Sequence, residues 1–350
     1  MSKLSRRDFL KTTSLGIGAL SLGALLEACG TLPPEPAISS ATPIPSPTPF
    51  PSASPTPAPT DALPAATEAL PTPSSAPIVP PNLVVTRQGE PEELVRRAIA
   101  TLGGMQKFVP SGANVIVKPN ICVAYRTYEY AATTNPWVVG ALVKLCFEAG
   151  AASVKVMDKP FNGTQVQAYE MSGIKEQVEA AGGEMAYMLD YMYVETSIPN
   201  AVKLKKTAVY DDILKADVLI NVPIAKQHSS AARLTLGMKN LMGVVWDRGA
   251  LHNDLGQCIA DLNALVRPQL TVIDAVRILT AYGPTGGSLS YVKQLDTVIA
   301  SPDVVAADSF AASLFGMKPQ DLPYLVAGTS MGLGRSDLEN LKIEQISLGT

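Results

Sequence analysis

Seventeen of the chain's 29 prolines fall between Thr31 and Pro81, and that crowding decides where a fold can form. Proline fixes φ and lacks an amide hydrogen. Runs such as Pro43-Ile44-Pro45-Ser46-Pro47-Thr48-Pro49 and Pro55-Thr56-Pro57-Ala58-Pro59 therefore make neither helix nor central strand. Extended polyproline-like conformations are left, which predicts a disordered, semi-rigid linker over 31–82. The fold must come from residues 83–350, a stretch long enough for an α/β domain with a packed core. The chain's 28 basic and 31 acidic side chains give a formal net charge of −3. That balance has no surplus to neutralise a phosphate backbone and argues against nucleic acid as a partner.

Residues 1–30 read as a targeting segment, outside the fold. Ser5-Arg6-Arg7-Asp8-Phe9-Leu10-Lys11 resembles the twin-arginine export signal, with Arg6 and Arg7 as its pair, and a Gly-rich, weakly apolar stretch runs on to Leu26. Lys11 and the interspersed Gly and Ser suit that stretch poorly to a permanent bilayer span. Leu26-Glu27-Ala28-Cys29 resembles a lipoprotein cleavage box, with Glu27 where a small or apolar residue is usual. The expectation is an extracytoplasmic protein, exported by the twin-arginine translocase and lipidated at Cys29. The linker would then hold its domain off the membrane.

From residue 83 the hydrophobic period alternates between two and 3.6. Strands are expected over 82–86, 114–117, 153–158, 217–222, 269–274 and 297–300. Helices are expected over 90–102, from Pro136 to Ala149, over 173–181 and 254–266, and after Ser301-Pro302-Asp303. This order predicts an α/β fold, a mainly parallel sheet with helices on both faces. Ligands of such sheets sit at the carboxyl ends of the strands.

Those ends carry the polar inventory. Lys118-Pro119-Asn120 follows one strand, Asp158 ends the next, and Lys226 and His228 follow a third. Lys239-Asn240 and His252 come after, then Asp274, with Gly283 and Gly286 downstream. Any one of these is ordinary loop chemistry; together they predict one cleft for an anionic small molecule. Lys118, Lys226 and Lys239 supply positive charge, with Asn120, Asp158, Asn240, Asp274, Gly283 and Gly286 as further binding candidates. Lys239, His228 and His252 are the catalytic candidates, and both histidines can also serve as metal ligands. No GxxxxGK[ST], GxGxxG or HExxH motif is present. Cys122, Cys146 and Cys258 lack the CxxC spacing of a zinc or iron–sulfur site and read as buried, small apolar residues.

Val117-Lys118-Pro119-Asn120, Ile220-Asn221-Val222-Pro223 and the run Leu236-Gly237-Met238-Lys239-Asn240-Leu241-Met242-Gly243 carry a resemblance. With His252, Val272-Ile273-Asp274-Ala275 and Gly283-Pro284-Thr285-Gly286 they resemble, in order, the domain of unknown function 362 family, over about residues 83–350. Many members carry a ferredoxin-type segment and an iron–sulfur label; this chain lacks such cysteines, so the resemblance implies no cluster and no established reaction. A weaker similarity, His228, Lys239 and His252 in that order, is to nickel-pincer lactate racemases. It implies that Lys239 holds a cofactor while the histidines exchange a proton. The leading expectation is an enzyme-like domain with metal- or cofactor-aided redox or proton-transfer chemistry. Its rivals are a non-catalytic lipoprotein that captures a ligand or metal, and a purely structural surface protein.

Overall fold

The computed structural model describes residues 80–349; Arg6, Arg7, Cys29 and the linker up to residue 79 lie outside the described residues. The first half of the fold holds β1 (Leu83–Arg87), α1 (Pro91–Thr101), β2 (Asn114–Pro119), α2 (Pro136–Glu148) and β3 (Ser153–Val156). It continues with α3 (Gln165–Met171), α4 (Ile174–Ala180) and β4 (Glu184–Met185). Pro91 starts α1 where the helix needs no amide hydrogen, and Asn135 caps α2 by accepting the Trp137 amide at 3.0 Å. β5 (Tyr193–Ser197) and β6 (Lys206–Tyr210) pair as a separate antiparallel ribbon. Then come α5 (Asp211–Lys215), β7 (Val218–Val222), β8 (Ile224–Gln227), β9 (Leu234–Thr235), α6 (Gly237–Asn240) and α7 (Leu255–Leu265). The last elements are β10 (Leu270–Leu279), β11 (Val292–Ser301), α8 (Val304–Ala312), α9 (Pro323–Ser330) and β12 (Ile343–Ser347).

The main sheet runs β12-β1-β11-β10-β7-β2-β3-β4, with β8 and β9 branching from β10. Its pairs are parallel from β10 through β7, β2 and β3 to β4, and again between β1 and β12. The expected mainly parallel α/β sheet is what forms. One expected strand differs in direction: residues 297–300 belong to the ten-residue β11, antiparallel to both β1 and β10. β10 and β11 are joined by a connection of only twelve residues without a crossover helix, and such neighbours pair antiparallel.

Alternate residues feed two cores. Val115, Val117, Val218 and Ile220 face α1, α2 and α4; Ile116, Leu219 and Ile273 face α7, α8 and α9. Helices therefore cover both faces, and the apolar burial on each fixes the register. Asp274 does not end its strand. β10 continues to Leu279, and Asp274 is fully buried within it, accepting the amides of Asn135 at 2.7 Å and Val276 at 3.0 Å. Among the described residues no helix is long and apolar enough to cross a membrane.

Candidate functional site

The strand alternation that buries Ile116 and Leu219 turns Lys118 and Asn221 to the same face, toward the short α6. Four residues cannot sustain a helix alone, and α6 is held from outside. The Asp308 carboxylate on α8 accepts the amides of Gly237 at 2.6 Å and Met238 at 2.8 Å, while Asn221 donates to the Gly237 carbonyl at 2.9 Å. A side chain at Gly237 would meet Asp308 Oδ1 at 2.7 Å, so this contact requires glycine.

So held, α6 presents Lys239 and Asn240 at the carboxyl ends of β2 and β7. Asn240 ties the strand ends together. Its Oδ1 accepts from Lys118 Nζ at 3.0 Å and Asn120 Nδ2 at 2.9 Å, and its Nδ2 donates to Asn221 Oδ1 at 2.9 Å. Lys118 Nζ also donates to the Pro119 carbonyl at 2.9 Å and lies 2.8 Å from Asp158 Oδ1. Gly243 makes room for this pair, because a Cβ there would collide with Asp158 Oδ1 and lie 2.6 Å from Lys118 Nζ. Lys226 donates to Asn120 Oδ1 at 2.8 Å and the Ala132 carbonyl at 2.7 Å.

These residues enclose a cavity of about 320 Å³. Lys118, Asn120, Asp158, Lys226, Lys239 and Asn240 line it, as do His228 and His252. The cavity does not gather every expected binding residue. Asp274, Gly283 and Gly286 stay outside the lining, because β10 continues past Asp274 and the turn beyond it packs Gly283 on the Gln227 backbone and Gly286 on Leu279; only Pro284 of that turn reaches the cavity. Lys118 lines the cavity with two ammonium protons given to Asn240 and the Pro119 carbonyl and its charge paired with Asp158, so it also braces the wall.

Cys122, Lys159 and Arg248 also line the cavity, and the sequence pattern does not single them out. Cys122 is buried, as expected of a small apolar residue, yet its wall position adds a thiol to the site. Lys159, one residue beyond a picked-out strand end, lies 3.7 Å from the Trp246 ring centre and 4.9 Å from that of Tyr193, which engages its charge. Arg248 donates to the Lys159 carbonyl, leaving its buried Nε without a partner. It comes from a loop with no periodic signal.

Positive charge dominates. Burial and then the nearby Lys226 hold Lys239 down at about 7, while burial, only partly offset by Asp158, holds Lys118 at about 8. Among the described residues the Lys239 ammonium finds no hydrogen-bond acceptor, although the residue is only 9% exposed. Burial, then Lys239 and Lys226, push His228 down to about 3, so its imidazole is neutral at pH 7. His228 Nδ1 accepts the Ser230 amide at 3.0 Å, which puts the ring proton on Nε2. His252 is the converse: Nδ1 lies 2.9 Å from the Arg248 carbonyl, an acceptor only, so Nδ1 donates there and Nε2 is the nitrogen left to carry a lone pair. One cavity thus holds a neutral imidazole donor and an imidazole acceptor.

Cys122, Cys146 and Cys258 are separate free thiols, and among the described residues no group of three or more His, Cys, Asp or Glu is gathered to hold a metal ion. This donor set does not fit an iron–sulfur cluster.

The family model named Domain of unknown function (DUF362) matches residues 115–313, which span the cavity's residues from Lys118 to Pro284. A thylakoid-associated protein of Synechocystis sp. is 28% identical over 268 residues, covering 70% of this chain and 76% of that protein. Among solved structures, the lactate racemase apoprotein from Thermoanaerobacterium thermosaccharolyticum aligns with a TM-score of 0.40 and 13% identity, over 61% of this chain and 53% of that one. A Thermotoga maritima protein gives a TM-score of 0.40 and 11% identity, over 65% and 60% respectively. The chain therefore spans less than two thirds of either solved structure.

Proposed function

The chain belongs to the DUF362 family, and from its site we propose that this domain binds a small carboxylate- or phosphate-bearing molecule and moves a proton on it. One observation carries the reading: Lys239 and Arg248 line one cavity, the Lys239 ammonium with no acceptor among the described residues and Arg248 Nε buried without one. A buried donor without a partner costs free energy, and an anion would supply the missing acceptor and charge. His228, with its donor Nε2–H, and His252, with its Nε2 lone pair, supply the acid and base positions. Lys226 retains one proton for the ligand, while Lys118, Asp158, Asn120 and Asn240 hold the wall in shape.

Racemase-like exchange of a proton next to a carboxylate is a second reading, favoured by His228, Lys239 and His252 lining the same cavity. Export and attachment through Cys29 belong to the same proposal. They rest on Arg6, Arg7 and the cleavage-box resemblance alone.

Calorimetric titration with oxalate and with inorganic phosphate, in two buffers of different ionisation enthalpy, tests the reading. Anion binding raises the affinity of Lys239, and of Lys118 in the same wall, for protons, so at pH 8 binding takes up protons. Lys239→Met cuts that uptake. If neither anion binds wild-type protein, or binding leaves the proton count unchanged, the reading falls. Binding without any turnover would make the domain a capture protein rather than an enzyme.

A further inference from the structure

Four lysines line the cavity, and their partners separate them. Lys118 is spent on Asp158, Asn240 and the Pro119 carbonyl. Lys226 is bonded to Asn120 and Ala132, and Lys159 is turned to the faces of Trp246 and Tyr193. Lys239 alone among them has neither an acceptor nor an aromatic face, and it stands on a segment fixed from behind by Asp308. A lysine in that position is a poor salt-bridge partner and a good amine.

We propose that Lys239 is a nucleophile whose neutral amine adds to the carbonyl carbon of a small 2-oxo carboxylate held in the cavity, forming an imine. The proposal deepens the anion-cleft reading and rests on it. Arg248 and Lys226 would take the carboxylate, which leaves the adjacent carbonyl to Lys239. The amine lone pair forms the new C–N bond while the C=O π pair moves to oxygen, bonded there by His228 Nε2–H. The proton lost by nitrogen passes through His252 Nε2 to that oxygen and gives a carbinolamine. The nitrogen lone pair then forms C=N as the C–O bond breaks, and the remaining nitrogen proton passes through His252 Nε2 to the departing hydroxyl, which leaves as water. Amine and carbonyl become imine and water, so no oxidant or reductant is needed. Desolvation beside other cations keeps a share of Lys239 in the free-amine form at neutral pH, which is what such a nucleophile needs. Cys122 in the same wall is a competing nucleophile, but its carbonyl adduct reverses and is not fixed by a mild hydride donor.

The test incubates the full chain with pyruvate and sodium cyanoborohydride, followed by intact mass and peptide mapping, with calorimetric binding of oxalate measured in parallel. The expected result is one adduct with the mass of pyruvate less one oxygen, on the peptide carrying Lys239. Oxalate should slow its formation several-fold, Lys239→Arg should abolish it, and Cys122→Ser should leave it unchanged. Mapping the adduct on wild-type protein locates it even if the Lys239 variant does not fold. Oxalate binding with no adduct, or with adducts scattered over exposed lysines, overturns the imine and leaves the cleft reading standing. If neither oxalate nor pyruvate engages the protein, both readings fall together.

Discussion

Two buried ammonium groups near one another have opposite energetic roles. Lys118 neutralises Asp158 across 2.8 Å with both side chains buried, whereas Lys239 has no counter-charge. Removing one partner of a buried ion pair leaves the other uncompensated, so Lys118→Met should cost about 3–5 kcal/mol in chemical denaturation. Lys239→Met removes a charge that burial opposes, and at pH 7 should leave stability unchanged or raised. Its pH dependence has a definite sign. The folded chain holds the Lys239 proton less tightly than the unfolded chain, at about 7 against the usual 10.5. The unfolded state therefore binds more protons between those values, and the Lys239 contribution grows more favourable as pH rises from 7 to 10. Denaturation series of both proteins should show wild type gaining on Lys239→Met over that range; a flat difference would refute it.

α6 shows the same logic for an element. Four residues of helix persist because Asp308 holds two of their amides, Asn221 holds the Gly237 carbonyl and Asn263 holds the Met238 carbonyl at 3.0 Å. Asp308→Ala strips two buried amides of their acceptor, at about 1–3 kcal/mol each. It should also abolish oxalate binding without touching the cavity wall, because Lys239 and Asn240 lose their support. Retained binding in a destabilised Asp308→Ala protein would show that α6 stands without it. The run from Leu236 to Gly243 is conspicuous as a motif, but its clamp lies about seventy residues further on, where no local spacing links Gly237 to Asp308. The reach of β10 past Asp274 escapes the pattern for a related reason. Ala275, Val276, Ile278 and Leu279 are buried like the residues before them, while the aspartate among them resembles a strand end.

For the whole molecule, the period of the apolar residues already carries the layered sheet and its two helical faces, because each buried face needs its own alternation. Strand order does not follow from it, since β11 slips between β1 and β10 through pairings far apart in sequence. The lysine–histidine cluster is legible because the strand-end rule is positional, whereas Arg248 and Cys122 arrive by loops. A ligand that binds only the folded domain stabilises all of it. Oxalate at a hundred times its dissociation constant should add about 2.7 kcal/mol to unfolding, read as a raised Tm in wild type and absent in Lys239→Met. β1, finally, is paired on both edges, antiparallel to β11 over Val84–Arg87 and parallel to β12 over Leu83–Arg87. A pull delivered through residue 82 along the strand axis therefore loads two ladders in shear and cannot peel one open bond by bond. A strand so held resists a load that would strip an edge strand from the same sheet.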